Sequence, residues 1–177
     1  MIILSILLVA LGVGAAIGMI HWLERKPWSQ SLPESISAMV YLLPERGGWR
    51  WVWTIWLVLV DVLTFAPVIE ILDRRGLGIL GFLPMAMLGF VAVWPLFDTE
   101  HRKWHYILAI AAGILSQKDV WFISPWWLLT WLLILAAWIW TTLGKYRAAF
   151  DSKGVLLSEV ICYVAVIGSE ITYILSN

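Results

Sequence analysis

The chain is built around six long apolar segments, each close to the roughly 20 residues that a helix needs to cross the hydrocarbon core of a bilayer. They run approximately from Ile2 to Trp22, Trp51 to Leu72, Leu77 to Phe97, Trp104 to Ile123, Pro125 to Leu143 and Val155 to Leu175. Transmembrane barrel strands are only about 10 residues long and alternate in polarity, and these segments do neither. The expected fold is therefore all-α: one polytopic transmembrane helix bundle of about six helices occupying residues 1–177 as a single domain. Composition agrees, since only 14% of the residues are charged, against roughly 25% in an average soluble domain. No Lys or Arg precedes the first apolar run, so it reads as a retained helix rather than a cleaved signal peptide.

Basic residues give the orientation. Arg25, Lys26, Arg46, Arg50, Arg102, Lys103, Lys145, Arg147 and Lys153 collect on one side, and Arg74, Arg75 and Lys118 on the other. The positive-inside rule then puts the first group in the cytoplasm and both termini outside. The only substantial connection is the loop 23–50, which is long enough for an interfacial or re-entrant helical piece capping the bundle from the cytoplasmic side. In the fourth segment the clean apolar stretch, Tyr106 to Leu115, is short and is followed by Ser116, Gln117, Lys118 and Asp119. A short or tilted helix ending near the Ser124-Pro125 pair is expected there.

Zero formal net charge gives no electrostatic footprint for nucleic acid, and a lone cysteine, Cys162, excludes a disulfide framework or a Cys-based zinc motif. The expected partners are membrane lipid and no nucleic acid, with a homo-oligomer compatible with the composition. Fourteen tryptophans suit the bilayer interfaces. Those of the fifth segment (Trp126, Trp127, Trp131, Trp138 and Trp140) are expected to face lipid, and Gly12, Gly14 and Gly18 of the first to serve close helix packing.

Ionisable residues inside a membrane are expensive, so each is a functional candidate. Asp98, His101 and His105 fall within one sector of about 60° on a helix. With His21 and the carboxylates Glu24 and Glu159 they map to one depth at the cytoplasmic end. Two imidazoles four residues apart can ligate one metal ion, with a carboxylate beside them as ligand or orienting group. His101, His105 and His21 are thus candidate zinc ligands, with Asp98 or Glu159 as candidate general base. Asp61 lies ten residues into the second segment, where a charge costs about 2.5 kcal/mol or more on insertion scales. It must face the bundle interior, protonated or paired, with Thr64, Ser158, Cys162, Tyr163 or a histidine as candidate partners. Glu159 and Glu170, eleven residues apart, share a face of the last helix. With Glu70 they could line a polar path, although Glu70 and Glu170 could equally pair with Arg74, Arg75 or Lys118.

The stretch Pro33-Glu34-Ser35-Ile36-Ser37 with Tyr41, then Pro95-Leu96-Phe97-Asp98, then His105-Tyr106-Ile107-Leu108-Ala109 resembles a group of small bacterial six-helix membrane proteins. These are placed near the DRAM/Frag-type and alkaline-ceramidase-type (CREST) membrane proteins. The resemblance implies a helix bundle in the bacterial inner (plasma) membrane. Its ceramidase-type members are metal-dependent amide hydrolases whose motif combines serine, aspartate and a His-x-x-x-His pair. Here His101 and His105 match that pair, with Ser35 or Ser37 and Asp61 as equivalents of the other positions. This sequence departs from the pattern in opening its fourth helix, not its last, with the pair.

Three functional expectations follow. The first is a cytoplasm-facing zinc site hydrolysing lipid-like amides or esters. The second is a small proton- or ion-coupled transporter using Asp61, Glu159 and Glu170. The third is a non-catalytic scaffold or partner subunit, in which each buried polar group has its own hydrogen-bond partner.

Overall fold

The computed structural model describes residues 50–93, 102–143 and 147–177, together with Leu7, Ala10, Leu11, Gly14, Ser35 and Ile36. Among these residues the regular structure is entirely helical. α1 is Arg50–Asp73, α2 Gly78–Val93, α3 Arg102–Ile123, α4 Trp131–Leu143 and α5 Arg147–Ser176, with a 3-10 turn at Pro125–Thr130 before α4. Three stretches are long and apolar enough to cross a membrane: Thr54–Asp73, Lys103–Ile123 and Gly154–Ser176. Gly78–Val93 and Pro125–Ala136 are shorter apolar helices. An all-helical architecture among the described residues, with three helices of membrane-spanning length and apolarity, is that of a membrane protein.

Local chemistry explains where the helices stop. α1 ends because Gly76 adopts φ 71°, the left-handed conformation that glycine reaches without steric cost. Gly76 N–H then donates to Asp73 O at 2.8 Å and Leu77 N–H to Leu72 O at 2.9 Å. These two bonds form a Schellman motif, which satisfies carbonyls left open at the helix end. α3 ends at Ser124, whose backbone is extended (φ −155°, ψ 91°), as steric conflict with the following proline ring requires. Pro67 within α1 and Pro84 within α2 are tolerated where neighbouring helices shield the freed backbone.

Side-chain contacts fix the packing. Thr54 Oγ1 donates to Ala92 O at 3.2 Å, and a Cβ on Gly81 would stand 3.0 Å from Val68 Cγ1, so α1 and α2 are antiparallel and nearly touching. Asp61 meets Tyr163, while Arg75, just beyond α1, reaches Phe122 of α3 and Tyr173 of α5. α1, α3 and α5 therefore run parallel. At their C-terminal ends Phe65, Val68, Ile71, Leu72, Val120, Ile123, Ala165 and Val166 form one buried apolar cluster. The opposite faces expose Ile55 and Leu59, Ile110 and Ile114, and Val160 and Val164. An exterior this apolar suits lipid and not water.

Two expectations are corrected here. The fourth segment is not short: α3 runs unbroken for 22 residues and carries Lys118 and Asp119 inside it. Its polar residues are accommodated by the bundle. Ser116 Oγ donates to Gly113 O at 2.8 Å, and Gln117 accepts from Trp131 Nε1 at 2.9 Å. Second, Trp127 and Trp131 turn inward and do not face lipid. Trp127 Nε1 donates to Thr172 Oγ1 at 2.9 Å. Its ring fills the space above Gly168, where an added Cβ would lie 2.5 Å from ring carbons. Trp126, 78% exposed, does point outward, and the side chains of Trp138 and Trp140 lie outside the described residues.

Candidate functional site

Helical periodicity assembles the site. On α5, Glu159, Tyr163, Val166 and Glu170 recur at intervals of four, three and four, which places them along one face. On α1, Leu57, Val60, Asp61, Thr64, Phe65 and Val68 form the corresponding buried face. The two meet where Tyr163 Oη donates to Asp61 Oδ1 at 3.2 Å. Asp61 is 1% exposed, and its second oxygen, Oδ2, is buried without a hydrogen-bond partner among the described residues. Of the partners expected for Asp61, the protein uses this phenol.

One turn toward the N-terminal end of α5 lies Glu159, half-buried. Its Oε2 accepts the backbone N–H of Ile36 at 2.6 Å, so the bend at Ser35–Ile36 in the long first loop comes back onto α5. Tyr163 is within electrostatic reach of both Asp61 and Glu159, and Cys162 within reach of Glu159. Tyr163 thus bonds Asp61 directly, and Glu159 stands one turn before it on the same face of α5.

Toward the other end the character changes. Glu170 is fully buried, and neither of its carboxyl oxygens has a hydrogen-bond partner among the described residues. Asp119 on α3 is 1% exposed, and both its oxygens likewise lack a partner among the described residues. Each lies sixteen residues from the N-terminal end of its apolar span, about 24 Å along a helix axis. Between the Asp61–Tyr163 pair and this level the buried residues of α1 and α5 include the apolar Phe65, Val68, Ala165 and Val166, while α3 contributes the polar Ser116 and Gln117. An unsatisfied buried polar group costs about 1–3 kcal/mol, and more if charged. Two such carboxyl groups, with one oxygen of Asp61 beside them, lower the stability of the bundle unless a proton or cation satisfies them.

Glu70 is set apart from these. It is exposed and paired with Arg74 at 2.8 Å, one helical turn on. That hydrogen bond first, and Coulombic attraction second, raise the already high pKa of the Arg74 guanidinium. The neighbouring Arg75 Nη1 donates to Phe122 O at 2.6 Å, and its guanidinium stands 5.7 Å from the Tyr173 ring centroid. It ties the α1–α2 turn to α3 and α5.

Of the expected zinc group, His105 is buried in α3, edge-on to the Tyr106 ring at 6.0 Å. It lies on the same buried stripe as Ala112, Ser116 and Asp119. His21, His101 and Asp98 lie outside the described residues, as does Ser37, while Ser35 is half-buried in the bend beside Ile36. Among the described residues, no cluster of three or more His, Cys, Asp or Glu side chains could hold a metal ion.

Asp119 was missed as a site residue because it follows Ser-Gln-Lys, which reads as the start of a loop. A usable signal was present: Val120-Trp121-Phe122-Ile123 and then Ser124-Pro125 put the helix end beyond it. No protein-family model, curated protein or solved structure matches this chain.

Proposed function

We propose that the protein is a small ion-coupled membrane carrier whose buried carboxyl groups, Asp61, Glu159 and Glu170 with Asp119, take up and release the coupling ion. The supporting observation is the set of orphaned carboxyl oxygens on Asp61, Asp119 and Glu170. A lone carboxylate in an apolar bundle is tolerated when it binds a proton or a cation, and such residues mark ion pathways. A scaffold would give each buried polar group a permanent partner, as Ser169 has in Val166 O at 2.7 Å. Phe65 and Val68 of α1, packed in one buried cluster with Ala165 and Val166 of α5, support a carrier over an open channel, because an ion passes them only when the helices shift.

In this reading the bundle has six spans with both termini outside, in a bacterial inner membrane. The position of Arg50, Arg102 and Arg147 at the starts of the three parallel helices supports it, since basic residues favour the cytoplasmic side. Glu159 then lies toward the cytoplasm, and Asp119 and Glu170 toward the outside. The test is reconstitution into liposomes with an imposed pH or sodium gradient. Gradient dissipation above that of protein-free vesicles is expected, and its absence under every gradient would remove the proposal.

A second reading, a zinc-dependent hydrolase of lipid-like amides or esters, has one observation in its favour. The hydrogen bond from Ile36 brings the adjacent Ser35 beside Glu159, joining a motif serine to a candidate base. His101, His105 and His21 would hold the metal, which supplies an acidified water. Elemental analysis of the purified protein separates the readings. The hydrolase predicts about one zinc per chain, lost in the His101→Ala/His105→Ala double variant. The carrier predicts full ion flux from metal-free protein.

A further inference from the structure

Resting on the carrier reading, we infer that the coupling ion is the proton, and that Tyr163 relays it between Glu159 and Asp61.

The surroundings of Asp61 argue against a metal cation. A dehydrated hard cation wants six or more oxygen ligands, yet the buried face of α1 that carries Asp61 is otherwise Leu57, Val60, Thr64 and Phe65. α2, packed against α1, has no titratable residue between Gly78 and Val93. From α5 the titratable groups facing this region are Glu159, Cys162 and Tyr163, with Glu170 beyond Ala165 and Val166. α3 contributes His105 and Asp119 on its buried stripe, while Lys118 is exposed. On α1 itself the other ionisable groups are Arg50 at its start and Glu70 and Asp73 at its far end. A proton needs only one lone pair at each station.

The phenol suits that task because its oxygen can accept one hydrogen while its O–H donates another. Its O–H already points at Asp61 Oδ1, 3.2 Å away. Glu159 lies one helical turn from Tyr163, where side chains at i and i+4 are neighbours. In the relay the Glu159 carboxyl gives its proton to Tyr163 Oη as Tyr163 releases its own to Asp61 Oδ1. One O–H bond breaks and one forms at the phenol, which stays neutral, and the net result is one proton moved from Glu159 to Asp61. The Ser35–Ile36 bend holds the other side of Glu159 through the 2.6 Å bond to Oε2. The relay therefore begins at the point where the first loop meets the bundle.

The experiment uses the full chain in liposomes loaded with a pH-sensitive dye, with proton entry driven by a potassium diffusion potential. Wild-type protein is expected to admit protons at the same rate in sodium and in choline buffer. Tyr163→Phe, which removes one oxygen, is expected to slow entry at least tenfold while the chain stays folded, with only the modest fall in melting temperature that loss of one hydrogen bond brings. Tyr163→His, which can again accept and donate, should recover part of the loss and guards against a folding defect in the Phe variant. Wild-type rates in Tyr163→Phe would overturn the relay. Ion movement that requires sodium would overturn the proton and leave the carrier standing. No ion movement under any gradient would overturn both.

Discussion

Asp61→Asn is expected to abolish ion-driven flux in proteoliposomes, to the level of protein-free vesicles, while the bundle stays folded. Asparagine is nearly isosteric and its amide oxygen can still accept the Tyr163 hydroxyl that now reaches Asp61 Oδ1 at 3.2 Å. The contact between α1 and α5 is preserved, and the site loses only its ability to gain and lose a proton or hold a cation. A side chain 1% exposed that served packing alone would tolerate this exchange at a cost of about 1 kcal/mol, the net worth of an ordinary hydrogen bond. Flux and stability therefore report different things, and the variant is informative only when both are measured. Glu70→Gln is the matched control. That carboxylate is exposed and paired with Arg74, and exposed ion pairs contribute about 1 kcal/mol or less, so flux should be unchanged. Wild-type flux from Asp61→Asn would mean that the ion passes elsewhere.

How much of this was legible in the sequence depends on which physical signal each residue leaves. The membrane-length runs show themselves because most residues of a span, whether they face lipid or core, are apolar, a pattern that needs no tertiary information. The turn after α1 was equally readable, since a glycine between two apolar runs marks the left-handed cap that Gly76 provides. Asp61 stood out because it interrupts an otherwise apolar helix. Asp119 did not, because polar neighbours on both the exposed and buried faces of α3 disguised its position. Only the packing of Gln117 against Trp131 and Cys162 explains why a helix continues through such a stretch. The inward turn of Trp127 was hidden for the same reason. Its partner is the bare backbone at Gly168, forty-one residues later, and sequence periodicity within one helix carries no information about a gap in another. The return of the first loop to Glu159 likewise rests on a backbone donor, Ile36 N–H, which leaves no residue-type signature.

Glu170→Met should make the protein more stable and less active at once. The side chains are similar in length, and methionine adapts to irregular core space, so the exchange removes two orphaned carboxyl oxygens without opening a cavity. Relief of an unsatisfied buried polar group is worth about 1–3 kcal/mol, which should raise the melting temperature in detergent by several degrees. If Glu170 were a structural residue, held by a partner as Ser169 is, its loss would lower stability instead. Ser169→Ala provides that comparison and should be slightly destabilising. The reason to expect lost flux alongside the gain is general: a fold keeps a costly group when activity needs it, and stabilising such a site removes function. Higher stability with full flux would show that Glu170 lies off the ion path and leave Asp119 to serve the outer level. Lower stability would show that a partner satisfies the carboxyl, and would take away one of the three orphaned groups on which the carrier reading rests.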